Sequence, residues 1–346
     1  MDTQQTRGKR QFLWTAPKVL FGLALLALVV RGMQWGELQE SWQAIWWLPF
    51  AAAIGFRFVM LAARAWRWSV LLRHNNPCPG IRELTRVLLK AELFNNLLPS
   101  TAGGDIYRVV ATKPTCTTPT ATAGVLADRG LGMVVLVVSA LLVVAANPWT
   151  RQIYIGQAVA AVAVLALGAL VAVWVGRARV SQWLRKRAET DDGGTVNAML
   201  RYAWRYYEAL ESYARRPRQL AKGLALSLIL LAGLIVSTYL ICLSVGAVPG
   251  IIDLTTVALT VTVISFLPIF INGLGGQEAA FIIMFQQVGV TPSQAALIAL
   301  LSRAAAVIMA IIAGLLYLYD SSRASTASNV ATPEAVASES KSVTSS

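Results

Sequence analysis

Uninterrupted apolar segments long enough to cross a lipid bilayer are the feature that most constrains this chain. A helix needs about 20 apolar residues to cross the hydrocarbon core, and Ala123–Ala146 and Leu224–Val245 are two such segments. Because lipid satisfies no backbone N–H or C=O group, a chain crosses it only as helices or as a closed barrel. The apolar runs are continuous and do not alternate with polar residues, which excludes a barrel. The sequence therefore predicts an all-α polytopic membrane protein.

Composition and charge agree with this class. Of the 346 residues, 56% are hydrophobic and 14% are charged, whereas soluble domains carry roughly 25% charged residues. The net charge of +13 is concentrated in loops between apolar runs, which is typical of topology marking and compatible with attraction to anionic lipid headgroups. We therefore expect no nucleic-acid partner. One histidine and three cysteines without CxxC spacing provide no metal-ligand set, so we predict no metal and no cofactor.

The apolar runs divide the chain into about eight transmembrane helices. They are Lys18–Met33, Ile45–Trp66, Ala123–Ala146, Ile155–Gly176, Leu224–Val245, Leu254–Phe270, Ala279–Val288 and Ala296–Tyr319. Residues 1–17 form a predicted cytoplasmic tail, 18–319 the membrane domain, 177–222 a basic cytoplasmic insert, and 320–346 a disordered tail. Basic residues before the first apolar run indicate an uncleaved signal anchor. The distribution of Lys and Arg predicts a multi-pass protein of the inner membrane with a cytoplasmic N-terminus.

Two segments interrupt the helical pattern with proline and glycine. Asn95–Arg108 and Leu267–Glu278 each contain Leu-Pro, Gly-Gly and a nearby carboxylate. Irregular backbone at membrane depth has to line a cavity or be buried in protein, and paired breaks in the two halves of a transporter point to a site at a repeat interface. We therefore predict two re-entrant elements and hypothesise an inverted repeat. A match this short also arises by chance. On that alternative, the two breaks serve only the packing of the helices.

The breaks supply candidate ligands for a lipid headgroup. The first N–H groups of a helix attract a phosphate, and charges inside a membrane cost roughly 2.5–3.5 kcal/mol each and usually face a cavity or a partner. The candidate substrate-binding residues are Asn95, Asn96, Ser100, Gly103, Gly104, Asp105, Arg108, Asp128, Arg129, Asn272, Gly275, Gly276, Gln277, Glu278 and Arg303. Arg108 and Arg303 are expected to engage the phosphate. Asp105 and Glu278 would meet a cationic group or act as counter-charges.

Simpler roles are open for several of these residues. Asp128 and Arg129 could form an interfacial ion pair, and the asparagines with Gln277 could cap helices. We predict no catalytic residues, because the one histidine, His74, lies in a basic loop and no Ser-His-Asp set can be assembled.

At these residues the chain resembles the flippase-like membrane domain family, also called the lysylphosphatidylglycerol synthase transmembrane region family. The resemblance covers about residues 18–319 and rests on Asn95–Asp105 with Arg108, on Gly124–Arg129, and on Leu267–Glu278. It implies the membrane half of aminoacyl-phosphatidylglycerol synthases, a domain that moves the lipid between leaflets, or a stand-alone member linked to polyprenol-sugar or hopanoid pathways. We expect a stand-alone member without the soluble aminoacyltransferase domain, since only a short polar tail follows the last span.

Three functions follow from this interpretation. The leading one is binding and translocation of an anionic or modified lipid, with an anionic headgroup or a polyprenyl phosphate as partner. The second is a membrane enzyme, or an accessory subunit of one, that acts on polyprenyl-phosphate-linked sugars or phospholipids with a membrane or soluble enzyme partner. The third is a non-catalytic membrane scaffold. The sequence predicts neither the lipid nor an oligomeric state.

Overall fold

Helices make up every element with defined bounds in the described part of the chain. The computed structural model describes residues 40–72, 79–97, 102–151, 154–188, 204, 207–209, 211–213, 215–265 and 275–343. The helices are α1 Trp47–Leu72, α2 Ile81–Leu97, α3 Ala102–Thr112, α4 Thr118–Ala146, α5 Tyr154–Ala188, α6 Pro217–Ser244, α7 Ile251–Ser265, α8 Gly276–Gln286 and α9 Pro292–Val343, with a short 3-10 helix at Pro148–Arg151. The predicted all-α architecture is confirmed.

Four of the described helices are long and apolar enough to cross a membrane. They are α1, α4, α6 and the part of α9 that ends at Ser322. Two shorter apolar stretches, Gly156–Leu165 and Ile251–Ser265, correspond to predicted spans. The predicted first span and the tail before it lie outside the described residues. The protein is therefore a multi-pass membrane protein.

Both predicted breaks lie between helices that pack against each other. Helix α2 contacts α3 across the first break, and α7 contacts α8 across the second. Each second helix has 11 residues, which at 1.5 Å per residue is about 16 Å, half the thickness of a bilayer core. Each break is thus followed by a helix too short to cross. Helix α8 replaces the predicted seventh span.

The two broken elements share further details. Asp105 and Glu278 lie in the first turn of the short helices α3 and α8. Arg129 and Arg303 are each the twelfth residue of the long helix that follows, α4 or α9. This common layout favours the repeat hypothesis. The inverted relation of the two halves stays a prediction.

The two largest apolar cores of the described residues lie at opposite ends of α1. The larger core joins the start of α1 and the end of α6 to α7, α8 and α9, around residues such as Ile241, Leu254, Phe285 and Leu297. The second core joins the end of α1 to α2 and α4 around Trp68 and its neighbours. Helix α1 also packs along α6. One face of α1 remains to line the cavity described below.

Helix α9 continues beyond the membrane-compatible part. It extends to Val343, through the segment for which the Ser/Thr/Ala-rich composition predicts disorder. Helix α5 likewise extends to Ala188, into the predicted basic insert. Helix α9 begins at Pro292, directly after Thr291. Proline is common at the first position of a helix.

Candidate functional site

A cavity of about 580 Å³ lies among the membrane helices and is rich in arginine. The charged residues that line it are four arginines, Arg57, Arg64, Arg67 and Arg129, and two carboxylates, Glu92 and Asp128. Its uncharged polar side chains are Asn96, Ser227, Ser237, Thr262, Ser265 and Gln277, and the remainder are mainly leucine, methionine and small residues. The lining therefore carries two more positive than negative charges. Its size is that of a small-molecule site.

Three of the arginines come from one face of α1. Arg57, Arg64 and Arg67 are separated by seven and three residues, spacings that place side chains on the same side of a helix. The ten residues from Arg57 to Arg67 correspond to about 15 Å along the helix axis. Met60 and Leu61 complete this face of the cavity. Helix α1 thus presents a row of guanidinium groups along about half the depth of a bilayer core.

Asp128 compensates two buried arginines. Its Oδ1 accepts a hydrogen bond from Arg67 Nε at 2.7 Å, and its Oδ2 accepts one from Arg108 Nη2 at 2.9 Å. Arg67 also donates to Ser227 Oγ at 2.9 Å, while the Arg108 guanidinium lies 4.2 Å from the centre of the Trp68 ring. Asp128 and Arg108 are each only 1% exposed. This carboxylate therefore joins α1, α3 and α4.

Asp105, the carboxylate of the first broken element, extends this network towards the cavity. Asp105 pairs with Arg129, which is 30% exposed, and its Oδ1 lies 3.4 Å from Arg108 Nη1. On the α2 side, Arg64 Nη1 lies 2.9 Å from Glu92 Oε1, and both side chains are about one-third to one-quarter exposed. Arg64 and Arg129 are therefore both paired and accessible from the cavity.

The second broken element carries a matching ion pair. Arg303 on α9 donates to Glu278 Oε1 on α8 at 2.6 Å. The other oxygen, Glu278 Oε2, accepts the backbone N–H of Gly275 at 2.7 Å, at a φ of +77° that favours glycine. Gln277 lies 3.4 Å from Arg303 Nη2 and lines the cavity. The pair thus fixes the start of α8 beside the site.

The sequence of the chain is similar to those of known membrane proteins. Residues 16–314 match the family described as "Lysylphosphatidylglycerol synthase TM region". The chain belongs to this family. It is also 24% identical over 294 residues to a "UPF0104 membrane protein" of Methanothermobacter thermautotrophicus, a match that covers 80% of this chain and 87% of that relative. No solved structure matches the chain.

In this member of the lysylphosphatidylglycerol synthase TM region family, the two breaks contribute to one cavity. Asn96 from the first and Gln277 from the second both line it, as do Asp128 and Arg129. Arg108 lies buried behind the lining, and Arg303 is engaged by Glu278. Neither is among the lining residues, so the arginines that face the cavity are not those expected to engage a phosphate. Ser100 and Asn272 lie outside the described residues.

Two of the N–H groups at the breaks have side-chain acceptors. The Gly104 N–H donates to Asn95 Oδ1 at 2.9 Å, and the Gly275 N–H donates to Glu278 Oε2. A buried N–H without a partner is costly, so a side chain of the same element satisfies it. Asn95 and Glu278 therefore stabilise the breaks themselves, and Gly103 and Gly276 are buried alongside.

Sequence reasoning missed Arg64 and Arg67 as site residues, because an excess of basic residues between apolar runs is typical of topology marking. Their spacing from Arg57 was the available signal. It places all three on one helical face, whereas residues that only mark topology need no common face.

Replacing Gly104 with alanine is expected to destabilise the first broken element. A Cβ at this position would lie 2.6 Å from the Ala91 carbonyl oxygen and would also displace Asn95 Oδ1. Such overpacking costs about 1–3 kcal/mol, and the thermal denaturation midpoint of the purified protein should fall. Gly55→Ala is the matched control, because nothing lies within 4 Å of its added Cβ. Equal midpoints for the two variants would contradict the close approach of α2 and α3.

Proposed function

We propose that this family member is an inner-membrane protein with its N-terminus in the cytoplasm. It binds the anionic headgroup of a lipid in the arginine-lined cavity and carries the lipid between leaflets. The observation that supports this most directly is the lining itself. Four arginines and two carboxylates face a cavity of about 580 Å³ among helices of membrane-spanning composition. An anion is the ligand that this excess of positive charge favours.

The choice of arginine supports a phosphate ligand. Guanidinium groups donate in a planar fork that matches phosphate oxygens and remain charged when buried. Charged side chains within a membrane are costly and are typically retained where they serve a ligand or a partner. Arg57, Arg64 and Arg129 reach the cavity from two different helices, α1 and α4. A phosphate between these helices would accept hydrogen bonds from both.

The apolar part of the lining suits a lipid. Leu230, Leu231 and Leu234 on α6 lie in the same cavity as the arginines, together with Met60 and Met133. A headgroup on the polar side would leave its first acyl methylenes against these side chains, each buried methylene being worth about 0.8 kcal/mol. The ligand proposed is therefore amphipathic, and not a soluble anion.

The row of α1 arginines supplies about half of a path across the bilayer core. A headgroup bound near Arg57, about ten residues from the start of α1 at Trp47, would lie near the middle of the span. Arg64 and Arg67 continue the same face towards Leu72. Stepwise exchange of the phosphate between neighbouring guanidinium groups would move the headgroup along the helix. The phosphate would then stay paired with an arginine inside the membrane.

The test is transbilayer movement in vesicles. Proteoliposomes with a fluorescent phosphatidylglycerol analogue should show faster exchange between leaflets than protein-free vesicles. The double variant Arg64→Gln/Glu92→Gln removes an arginine of the row without leaving its carboxylate unpaired. Because one hydrogen-bonded charge contact is worth about 1.5–3 kcal/mol, its initial rate should fall about tenfold or more.

Arg218→Gln is the control for the loss of one arginine, since Arg218 is exposed near the start of α6 and outside the cavity. Its rate should equal that of the wild type. Wild-type vesicles no faster than protein-free ones, with every lipid analogue offered, would refute the proposed function. An unchanged rate in the double variant would refute the role of the cavity.

A further inference from the structure

We infer that the cavity selects a lipid phosphomonoester, a headgroup with two negative charges and no ammonium group. This inference rests on the proposed binding of a lipid in the same cavity. Phosphatidic acid and polyprenyl phosphates belong to this class, whereas phosphatidylglycerol carries one negative charge and aminoacylated phosphatidylglycerol adds a cation. The inference depends on how the carboxylates and arginines around the cavity are already matched.

Each described carboxylate at or beside the cavity is engaged by an arginine. Glu92 is paired with Arg64, and Asp128 with Arg67 and Arg108. Asp105 is paired with Arg129, and Glu278 with Arg303. An ammonium group brought into the cavity would have to displace one of these arginines from its carboxylate. The lining therefore opposes a headgroup with a cationic part.

The residues that line the cavity carry two more positive than negative charges, and this excess lies on particular arginines. Among the described residues, Arg57 has the Ser237 hydroxyl as its hydrogen-bond partner, with Nε to Oγ at 3.4 Å. Asp105 and Asp128 are shared among Arg67, Arg108 and Arg129, so two carboxylates serve three guanidinium groups. Arg57 and Arg129 both line the cavity. A headgroup with a single negative charge would balance only one of the two.

A phosphomonoester fits this charge balance. Its second ionisation lies near pH 6, so it carries about −1.5 to −2 at pH 7, with three oxygens that accept hydrogen bonds. Nearby guanidinium groups favour its fully ionised form. Three terminal oxygens also allow contacts to arginines on different helices at the same time. A phosphodiester has two such oxygens and one charge.

Binding to the purified full-length protein in detergent tests the inference. The probes are phosphatidic acid, phosphatidylglycerol and lysyl-phosphatidylglycerol with identical acyl chains, each titrated at pH 7.5, and affinity is measured as Kd. We expect phosphatidic acid to bind about tenfold more tightly than phosphatidylglycerol, as for one additional charged contact. Lysyl-phosphatidylglycerol should bind most weakly. The preference for phosphatidic acid should shrink as the pH falls below about 6, where the monoester loses its second charge.

The variant Arg57→Gln should remove most of this preference, so that phosphatidic acid binds about as well as phosphatidylglycerol. Arg218→Gln, which removes an exposed arginine, should leave it unchanged. Glycerol 3-phosphate serves as the headgroup without acyl chains and should compete at least about a hundredfold less well, because the contribution of the methylenes is lost. Equal potency of glycerol 3-phosphate would assign the cavity to a soluble phosphate ester and overturn the inference.

The failures are distinguishable. Equal affinity for phosphatidic acid and phosphatidylglycerol would overturn the charge selection and leave anionic-lipid binding intact. Tightest binding of lysyl-phosphatidylglycerol would overturn it in favour of a headgroup with an ammonium group. Absence of binding by every anionic lipid would refute the proposed function together with the inference.

Discussion

An Asp128→Asn variant is expected to be less stable than the wild type by about 3–5 kcal/mol, because it leaves buried guanidinium groups without their counter-charge. Asp128 and Arg108 are 1% exposed and Arg67 is 6% exposed. Asparagine has nearly the same shape, but one of its two terminal groups donates and would point at a guanidinium that also donates. The loss is therefore one of charge, with little change in packing volume.

Thermal and denaturant unfolding of the purified protein would measure this effect. Glu211→Gln is the matched control, since its carboxylate pairs at 3.2 Å with Arg215, which is 76% exposed. Exposed pairs of this kind contribute about 0–1 kcal/mol, so the control should unfold at nearly the wild-type midpoint. A wild-type midpoint for Asp128→Asn would mean that Arg67 and Arg108 are compensated elsewhere.

Adding Arg108→Met to Asp128→Asn provides a second check. The double variant leaves one uncompensated arginine in place of two, and methionine can occupy the apolar surface beside Trp68. Replacing buried ions by apolar side chains is often neutral or stabilising, so the double variant should be at least as stable as Asp128→Asn. If it is less stable, the packing of the Arg108 side chain on Trp68 outweighs its charge.

The breaks could be predicted because their cause is local. A proline cannot continue a helix, and a Gly-Gly pair lowers helix propensity wherever it occurs. Leu98-Pro99 therefore predicts the end of α2 to within a few residues. In the same way, Gly275-Gly276 predicts the start of α8. The carboxylates in the first turns of α3 and α8 follow the favourable helix dipole.

The partners of the charged residues could not be predicted, because they lie far apart in the chain. Asp128 is 61 residues from Arg67 and 20 from Arg108, and no local pattern links them. Asp128, for which a pair with Arg129 was one alternative, pairs with Arg67 and Arg108. Neighbouring residues on a helix point in different directions, and Arg129 turns to Asp105.

The place of Arg64 and Arg67 in the site could not be predicted from the sequence for a related reason. Charge density alone does not tell an arginine that faces lipid headgroups from one that faces a protein cavity. Arg67 is buried against Asp128 and Ser227, and Arg64 lines the cavity. Helical phase would have separated these two from Trp66, which is exposed.

A Glu278→Gln variant is expected to slow lipid movement about tenfold or more, provided that Arg303 is present. Glu278 Oε1 accepts hydrogen bonds from Arg303, whose side chain is 20% exposed, and Gln277 next to it lines the cavity. Without the Glu278 carboxylate, the Arg303 guanidinium beside the headgroup path would lack this counter-charge. It would hold an anionic headgroup more tightly, and a charge contact worth about 1.5–3 kcal/mol slows its release by a factor of ten or more.

The same variant should also lose stability, by about 2–3 kcal/mol. This is less than for Asp128→Asn because the Arg303 side chain is 20% exposed and stays partly solvated. Glutamine retains a side-chain oxygen that can accept the Gly275 N–H, so the start of α8 should remain capped. The substitution therefore removes the ion pair with Arg303 and leaves the cap on the Gly275 N–H in place.

The double variant Glu278→Gln/Arg303→Gln separates charge from local structure. It removes the Arg303 guanidinium together with its Glu278 counter-charge and keeps the acceptor for the Gly275 N–H. If charge causes the defect, lipid movement in proteoliposomes should recover to within about threefold of the wild type, since no single charge contact is then left unmatched. If the double variant is as slow as Glu278→Gln, the ion pair acts by holding α8 against α9. Arg303 would then be a structural partner of the break, with no influence on the headgroup.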